Sequence, residues 1–187
     1  IGVPLTLLRM NKEHEIAIIE MGANHVQEIE TLCKIAEPNY GVITSIGKAH
    51  IGEFGSYEAI KNTKAELYQW LANHQGTTFI NEDLDVLNEM IQKTSAEKII
   101  NYGTKSNFQY SYQYIDSNLF VNFYLKDKIV KTQLPGEYNF SNFITACTIG
   151  QYFEVTIDKI ISVLSSYQSD NNRSQILNKD GLTLIMD

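Results

Sequence analysis

Residues 40–83 read YGVITSIGKAHIGEFGSYEAIKNTKAELYQWLANHQGTTFINED, and two apolar runs in this stretch flank a glycine-rich loop and a long amphipathic segment. The runs at 40–46 and 77–83 have the length of buried strands. Residues 56–74 have the period of a helix, with Ser56 as a candidate N-cap. A strand, a helix and a second strand in this order predict a βαβ unit with parallel strands.

The same alternation continues on both sides of this unit. Apolar runs at 15–21 and 97–103 predict further strands, and the periodicity of 26–36 and 83–93 predicts further helices. Strands that alternate with helices in this way indicate an α/β fold, with a mostly parallel sheet flanked by helices.

The second half of the chain has a different pattern. Residues 108–134 are rich in Tyr, Phe and Val and are interrupted at DSN and KDK, which predicts a small antiparallel three-stranded sheet. A Pro-Gly pair then introduces a helical stretch within 134–153. A second helix is predicted at 156–167, capped by Thr156, and two strands joined by a KDG turn are predicted at 174–187.

The composition excludes several classes of protein. The chain has 187 residues, 43% of them hydrophobic, which is enough for one domain with a buried core. It has neither an apolar run long enough for a membrane span nor a signal-peptide pattern. The net charge of −7 argues against a general nucleic-acid binder. Cys33 and Cys147 are isolated, which favours two free thiols in a reducing cytosol over a disulfide.

Two side chains follow the ends of predicted strands. Glu20 lies at the end of the first strand, and His50 follows the next strand in the loop SIGKAHIGEFGS (45–56). Ligands of open α/β sheets bind outside the carboxyl ends of the strands. A carboxylate with an imidazole suits a divalent cation. The alternative is a solvated glutamate and an incidental loop histidine.

Lys64 lies on the apolar face of the predicted helix 56–74. The residues Ile60, Leu67 and Leu71 form one stripe, and Lys64 follows Ile60 by four positions, so it points towards the sheet. An inward lysine is costly unless it is paired or chemically altered. It is therefore a phosphate ligand or a modified lysine, unless its ammonium bends outward along the surface.

Polar residues of the second half offer a nucleotide site. Asn139 and Asn142 share one face of a helical turn in GEYNFSNFITA (136–146), where they either cap the helix or bind a purine edge. Arg173 is one of two arginines in the chain, and it is either a phosphate clamp or a surface residue.

Taken in order, these pieces resemble the Mur ligase family. The resemblance spans nearly the whole chain and implies the central ATP-binding domain of a three-domain enzyme over 1–187, with 181–187 at the junction to a C-terminal domain. We expect the N-terminal UDP-substrate domain and the C-terminal domain to lie outside the chain. The matching stretches are IGVPLTLL (1–8), EMGANHVQEI (20–29), ITSIGKAHIGEFGS (43–56), EAIKNTKAEL (58–67), GEYNFSNFITA (136–146), NNRSQ (171–175) and LIMD (184–187).

The resemblance also implies a reaction. Mur ligases use ATP and Mg²⁺ to activate a carboxylate as an acyl phosphate, which an amine then attacks to form an amide bond. The stretches above are most similar to those of the member that joins D-Ala-D-Ala to UDP-N-acetylmuramoyl-tripeptide in peptidoglycan precursor synthesis. The resemblance implies a cytoplasmic enzyme that is a monomer at full length.

The family pattern assigns roles to particular residues of this chain. It implies Glu20, His50 and Lys64 as magnesium ligands, with Lys64 carbamylated and with Lys64 and His50 essential for catalysis. It implies the following further contacts: Asn139 and Asn142 with adenine, Arg173 with phosphate, Asp187 with the ribose, and Asn24 and Thr44 with the substrate.

The chain contains no Gly-x-x-Gly-Lys-Thr phosphate loop. We therefore expect that the chain alone neither hydrolyses ATP nor forms amide bonds. Two alternatives stay open: another ligase of the same family, such as a folylpolyglutamate synthase or another muramoyl amino-acid ligase, and a non-catalytic scaffold domain.

Overall fold

The computed structural model describes residues 2–47, 51–105, 107–117, 119–169, 175–179 and 182–186. The chain divides into two compact units. Unit 1 comprises Ile1–Ile80 and Leu84–Ile100, and unit 2 comprises Asn81–Asp83 and Asn101–Asp187. The two units are described separately below.

Unit 1 contains the predicted βαβ unit. Strands β1 and β2 are parallel, with Gly41 opposite Thr78, and α4 connects them, as predicted. Three differences concern length and number: β1 is shorter than predicted, and the helices α1 and α3 were not predicted. The elements are α1 (Gly2–Leu7), α2 (Glu28–Ala36), β1 (Tyr40–Val42), α3 (Ile51–Phe54), α4 (Tyr57–Asn73), β2 (Thr77–Asn81), α5 (Asp85–Ile91) and β3 (Lys98–Gly103), of which β2 and β3 run into unit 2.

Helix α4 packs closely on β1. Its N-cap is Ser56, as predicted, and the Ser56 hydroxyl accepts a hydrogen bond from Ala59 N at 3.1 Å. A Cβ atom added to Gly41 would lie 2.7 Å from Leu71 Cδ1, so the glycine is what allows the helix to approach the strand. A core cluster of unit 1 consists of Ile43, Tyr68, Ile80, Leu87, Met90 and Ile91.

The prediction of a strand at 15–21 is wrong for this structure. These residues form no regular element and pair with no strand in the described part of the chain. Ile16 and Ile18 are 56% and 88% exposed. An apolar run becomes a strand only where a neighbouring strand binds its N–H and C=O groups, and that neighbour cannot be read from the run itself.

Unit 2 contains the predicted antiparallel sheet. Strands β4, β5 and β6 form a meander in which Phe123 pairs with Tyr114 on one side and Val130 on the other. The C-terminal hairpin of β7 and β8 is also confirmed, with Leu177 opposite Leu184. The elements are β4 (Tyr110–Ile115), β5 (Phe120–Leu125), β6 (Lys128–Pro135), α6 (Tyr138–Tyr152), α7 (Ile157–Ser166), β7 (Gln175–Lys179) and β8 (Leu182–Met186).

The sheet topology confirms the α/β class. The strands follow the order β1-β2-β3-β4-β5-β6. The pairs β1–β2 and β3–β4 are parallel, and the meander continues from β4. Thr156 is at the N-cap of α7, as predicted, but its side chain forms no capping hydrogen bond.

Helix α6 is joined to the strands of unit 2 by two buried hydroxyl pairs. The Tyr102 hydroxyl lies 2.7 Å from Thr145 Oγ1, and the Tyr112 hydroxyl lies 2.8 Å from Thr148 Oγ1. Burial raises the pKa of Tyr102 to about 12 and raises the pKa of Tyr112 further. Phe123 is fully buried, and its ring lies 6.3 Å from that of Tyr112 in an edge-to-face arrangement.

Both cysteines are buried free thiols, as predicted. Burial raises the pKa of Cys147 to about 12. Of the helices that the structure describes, none is both long and apolar enough to cross a membrane.

Candidate functional site

Lys64 reaches from α4 to the chain that follows β1. Its Nζ donates a hydrogen bond to the Ser45 carbonyl at 2.8 Å, three residues after the end of β1, so the side chain points towards the strand side of α4, as predicted. The side chain is half-buried, and it has no ion pair among the described residues. Burial therefore lowers the pKa of Lys64, since no carboxylate compensates the lost hydration.

Lys61 has the opposite environment on the same helix. The residue is only 8% exposed. Its Nζ lies 3.2 Å from Glu58 Oε2 and 3.5 Å from Glu89 Oε2 on α5. The hydrogen bond to Glu58 and the nearby Glu89 carboxylate raise the pKa of Lys61. The contact with Glu89 arises because α5 packs against α4.

Glu66 of α4 binds the N-terminal end of α2. Its Oε1 accepts from Gln27 N at 2.9 Å, and its Oε2 accepts from Glu30 N at 2.8 Å. The first N–H groups of a helix have no partner within the helix, and a carboxylate is well suited to bind them. The α2 cap is thus supplied by another helix rather than by the residue at the N-cap, Gln27.

Glu28 binds the same turn from within α2. Its carboxylate accepts hydrogen bonds from Asn24 N at 2.7 Å, His25 N at 3.1 Å and His25 Nδ1 at 3.0 Å. These bonds, the one from Asn24 N first, lower the pKa of Glu28 to about 2. Residues 24–27, called the 24–27 turn below, are therefore held by two carboxylates.

The predicted magnesium ligands are not brought together in the described part of the chain. Glu20 is exposed at the end of the unpaired segment 15–21. His50 lies outside the described residues. Within the described ranges, no group of three His, Cys, Asp or Glu side chains is placed to hold a metal ion. The magnesium assignment of Glu20, His50 and Lys64 stays a prediction.

The predicted substrate residues are both exposed. Asn24 belongs to the 24–27 turn, and Thr44 directly precedes Ser45, whose carbonyl binds Lys64. The side chain of Asn24 bonds to no residue that the structure describes, because only its backbone N–H is engaged. Both residues are therefore accessible to a ligand of unit 1.

The predicted adenine residues lie at the start of α6 in unit 2. Asn139 is buried, and its Nδ2 donates to the Pro135 carbonyl at 2.7 Å. Asn142 is exposed, and its Nδ2 donates to Asn139 Oδ1 at 3.2 Å. Arg173 and Asp187 lie outside the described residues.

Three contacts of this region were not predicted from the sequence. They are the Ser45 carbonyl that binds Lys64, the Glu66 cap and the Glu28 bonds. Of the three, only the Glu28 bonds could have been predicted from nearby residues, because Glu28 follows His25 by three positions, which is the spacing of a capping box. The Glu66 cap joins residues 39 positions apart, and periodicity does not reveal such a contact.

The chain is similar to several known proteins. Residues 1–150 match the family described as Mur ligase middle domain. The chain is 33% identical over 182 residues to the UDP-N-acetylmuramoyl-tripeptide–D-alanyl-D-alanine ligase of Buchnera aphidicola, covering 95% of this chain and 39% of that protein. It is 29% identical to the ligase of the same name from Bacillus subtilis, covering 100% of this chain and 41% of that protein.

Solved structures give the same result for the fold. A crystal structure of MurF from Acinetobacter baumannii superposes with a TM-score of 0.84 at 27% identity, covering 100% of this chain and 42% of that chain. MurF from Thermotoga maritima in complex with ADP superposes with a TM-score of 0.76 at 24% identity, covering 99% and 43%. The chain thus spans about two-fifths of the length of these relatives. On the match over 1–150, the chain belongs to the Mur ligase family and contains its middle domain.

Proposed function

We propose that the chain is the ATP-binding middle domain of a ligase that joins D-Ala-D-Ala to UDP-N-acetylmuramoyl-tripeptide. The observation that carries the proposal is Lys64, a half-buried lysine whose ammonium has no carboxylate partner among the described residues, after the carboxyl end of β1 in a Mur ligase domain. The names of the relatives from Buchnera and Bacillus support the choice of substrates. The ADP complex of the Thermotoga relative supports the use of ATP.

The proposed reaction has two steps. The γ-phosphate of ATP is transferred to the terminal carboxylate of the tripeptide, and the bond to ADP breaks. The amine of D-Ala-D-Ala then attacks the acyl phosphate, loses a proton and expels phosphate, so that one amide bond forms for each ATP. A magnesium ion would neutralise the charge that gathers on the transferred phosphoryl group.

The environment of Lys64 fits a lysine that reacts with carbon dioxide. The neutral amine attacks CO₂, one N–C bond forms and one proton leaves, and the product is a carbamate anion. Because burial lowers the pKa of Lys64, a larger fraction of the amine is neutral than for an exposed lysine. The change turns a cation, which would repel a metal ion, into an oxygen ligand of the kind that magnesium prefers.

The remaining residues are proposed in the roles that the family pattern implies. Glu20 and His50 would complete the magnesium site with carbamylated Lys64. Asn139, Asn142, Arg173 and Asp187 would bind the nucleotide in unit 2, and the exposed side chains of Asn24 and Thr44 would contact the peptide substrate. We place the full-length enzyme in the cytoplasm, where its proposed water-soluble precursors occur, and propose that it is a monomer, as the family resemblance implies.

The test uses the full-length protein that carries this chain. Phosphate release should require ATP, UDP-N-acetylmuramoyl-tripeptide and D-Ala-D-Ala together. Lys64→Ala should lose at least about a hundredfold in rate, as expected when a group that stabilises transition-state charge is removed. Short carboxylates such as formate should restore part of it. Lys34→Ala is the matched control, because Lys34 is an exposed lysine that pairs with Glu30 on its own helix.

Intact-protein mass spectrometry completes the test. Wild-type protein in bicarbonate should carry the mass of one CO₂ on Lys64, and Lys34→Ala should carry it too. Full activity of Lys64→Ala would refute the role of Lys64. Ligation of glutamate to a folate instead of D-Ala-D-Ala to the tripeptide would refute the proposed substrates. ATP turnover by the 187-residue chain alone would contradict the expectation that it is inactive by itself.

A further inference from the structure

We propose that Glu66 is a positioning residue that fixes the 24–27 turn and, through it, the side chain of Asn24. The inference rests on the proposed function, in which Asn24 contacts the peptide substrate. Glu66 itself does not contact the substrate in this account. It acts through the backbone of the turn.

The first argument is the geometry of the Glu66 carboxylate. Each oxygen accepts one backbone N–H bond, from Gln27 at 2.9 Å and from Glu30 at 2.8 Å. One donor, Gln27, is the N-cap residue of α2, and the other, Glu30, is the third residue of the helix. Because both oxygens are hydrogen-bonded, the carboxylate cannot rotate about its Cγ–Cδ bond without breaking a contact. The Glu66 side chain therefore links the turn firmly to α4.

The second argument is the strained backbone of the turn. Gln27 has φ 66° and ψ 5°, a left-handed conformation that is unfavourable for a residue with a side chain. Such a conformation persists only where surrounding contacts hold it. The N–H group that Glu66 Oε1 binds belongs to this residue. The hydrogen bond from Gln27 N to Glu66 therefore holds the turn at the residue with the strained backbone conformation.

The third argument is what the turn presents. Glu28 binds the N–H groups of Asn24 and His25, and Glu66 binds that of Gln27, so three backbone donors of the turn are already engaged. The exposed Asn24 side chain, in contrast, bonds to no described residue. A polar group on a locked backbone is the usual arrangement of a binding residue.

The fourth argument is the shared helix. Lys64 and Glu66 are two positions apart, so their side chains leave α4 in different directions. Lys64 binds Ser45 after β1, and Glu66 binds the 24–27 turn. One helix thereby sets the distance between the proposed catalytic lysine and the proposed substrate residue.

The test is a double-mutant cycle in the full-length ligase. Glu66→Ala, Asn24→Ala and the double variant are compared for kcat and for the KM values of ATP and the UDP-linked tripeptide. We expect Glu66→Ala to raise the peptide KM about fivefold or more, a coupling in the usual range for residues that act together. The KM of ATP should not change. In the Asn24→Ala background, Glu66→Ala should raise the peptide KM no further.

The controls separate positioning from stability. Glu30→Gln removes the charge of a half-buried side chain in the same turn of α2, whose carboxylate pairs with Lys34, and it should leave both KM values unchanged. Amide hydrogen exchange at Gln27 and Glu30 should become faster in Glu66→Ala without faster exchange in the core. If Glu66→Ala does not fold, Glu66→Gln replaces it, because one of its two acceptors becomes a donor.

The outcomes are distinct. An equal rise in peptide KM in both backgrounds, or a lower melting temperature with unchanged KM values, would overturn the role of Glu66 while leaving the proposed function intact. A wild-type protein that does not ligate D-Ala-D-Ala to the tripeptide would refute the proposed function and this inference with it.

Discussion

Leu71 holds α4 on the two parallel strands of unit 1, and its truncation tests how closely the helix is fitted. The side chain is fully buried, with no exposed surface. Its methyl groups occupy the space where a Cβ on Gly41 or on Gly76 would lie, at 2.7 and 2.6 Å. Leu71→Ala should lower the free energy of unfolding of unit 1 by about 2–5 kcal/mol, the range for a buried leucine replaced by alanine.

Gly41→Ala provides the second perturbation. Its Cβ would clash with Leu71 Cδ1, so in the wild-type background it should cost about 1–3 kcal/mol. In the Leu71→Ala background that clash is gone, and the nearest atoms are Leu67 methyls at 3.1 Å. The cost should then fall below about 1 kcal/mol, because alanine also loses less conformational entropy on folding than glycine.

Gly76→Ala is the matched control for this cycle. Its Cβ would also meet backbone atoms, Asn39 O at 3.0 Å and Leu71 Cα at 3.3 Å, which Leu71→Ala does not remove. Leu71→Ala removes its shortest contact, Leu71 Cδ2 at 2.6 Å, but leaves these backbone contacts, so the cost of Gly76→Ala should fall by less than that of Gly41→Ala. Urea unfolding followed by the fluorescence of Trp70, the single tryptophan, reports on α4 directly. An equal cost of Gly41→Ala in both backgrounds would refute the packing argument.

Three further predictions test other features. The buried Thr78 hydroxyl has no hydrogen-bond partner among the described residues, so Thr78→Val should leave the free energy of unfolding unchanged or raise it by up to about 1 kcal/mol. Thr132→Val removes a 2.7 Å hydrogen bond to the Val121 carbonyl and should lower it by about 1 kcal/mol. Both variants are measured in the same urea titration. Burial raises the pKa of Cys147 from its ordinary 9.0 to about 12, so between these values the folded state keeps a proton that the unfolded state loses. As the pH rises from about 9 to about 12, the free energy of unfolding should therefore fall by about 4 kcal/mol. Cys147→Ala should lack this loss in urea titrations at increasing pH, and parallel curves for the two proteins would contradict the assignment. Cyanate at about pH 8 should modify Lys64 faster than Lys61, because the pKa of the first is lowered and that of the second is raised, and peptide mass mapping that finds the reverse order would contradict this.

The comparison of sequence and structure shows which features are local. The strands β1 and β2 and the helix α4 were predicted because apolar spacing and the Ser56 cap are signals within one segment. The direction of Lys64 was predicted for the same reason, since it shares a stripe with Ile60. These predictions needed no knowledge of the neighbouring elements.

The failures concern partners that lie far away in the sequence. The run 15–21 has the composition of a strand, yet it forms one only where a neighbour binds its backbone. The ion pair between Lys61 and Glu89 depends on the packing of α5 against α4, which the residue spacing within one helix does not show. The Glu66 cap likewise depends on how α2 meets α4, which is a property of packing.

The shared use of α4 also has an evolutionary consequence. Lys64, Glu66 and Leu71 each meet a different neighbour, and all of them depend on the phase of one helix. A single residue inserted within α4 before position 64 would rotate these side chains by about 100° about the helix axis, relative to the start of the helix, and would move them by about 1.5 Å along it. We therefore expect homologues to vary in length around this helix but to preserve the number of residues within it.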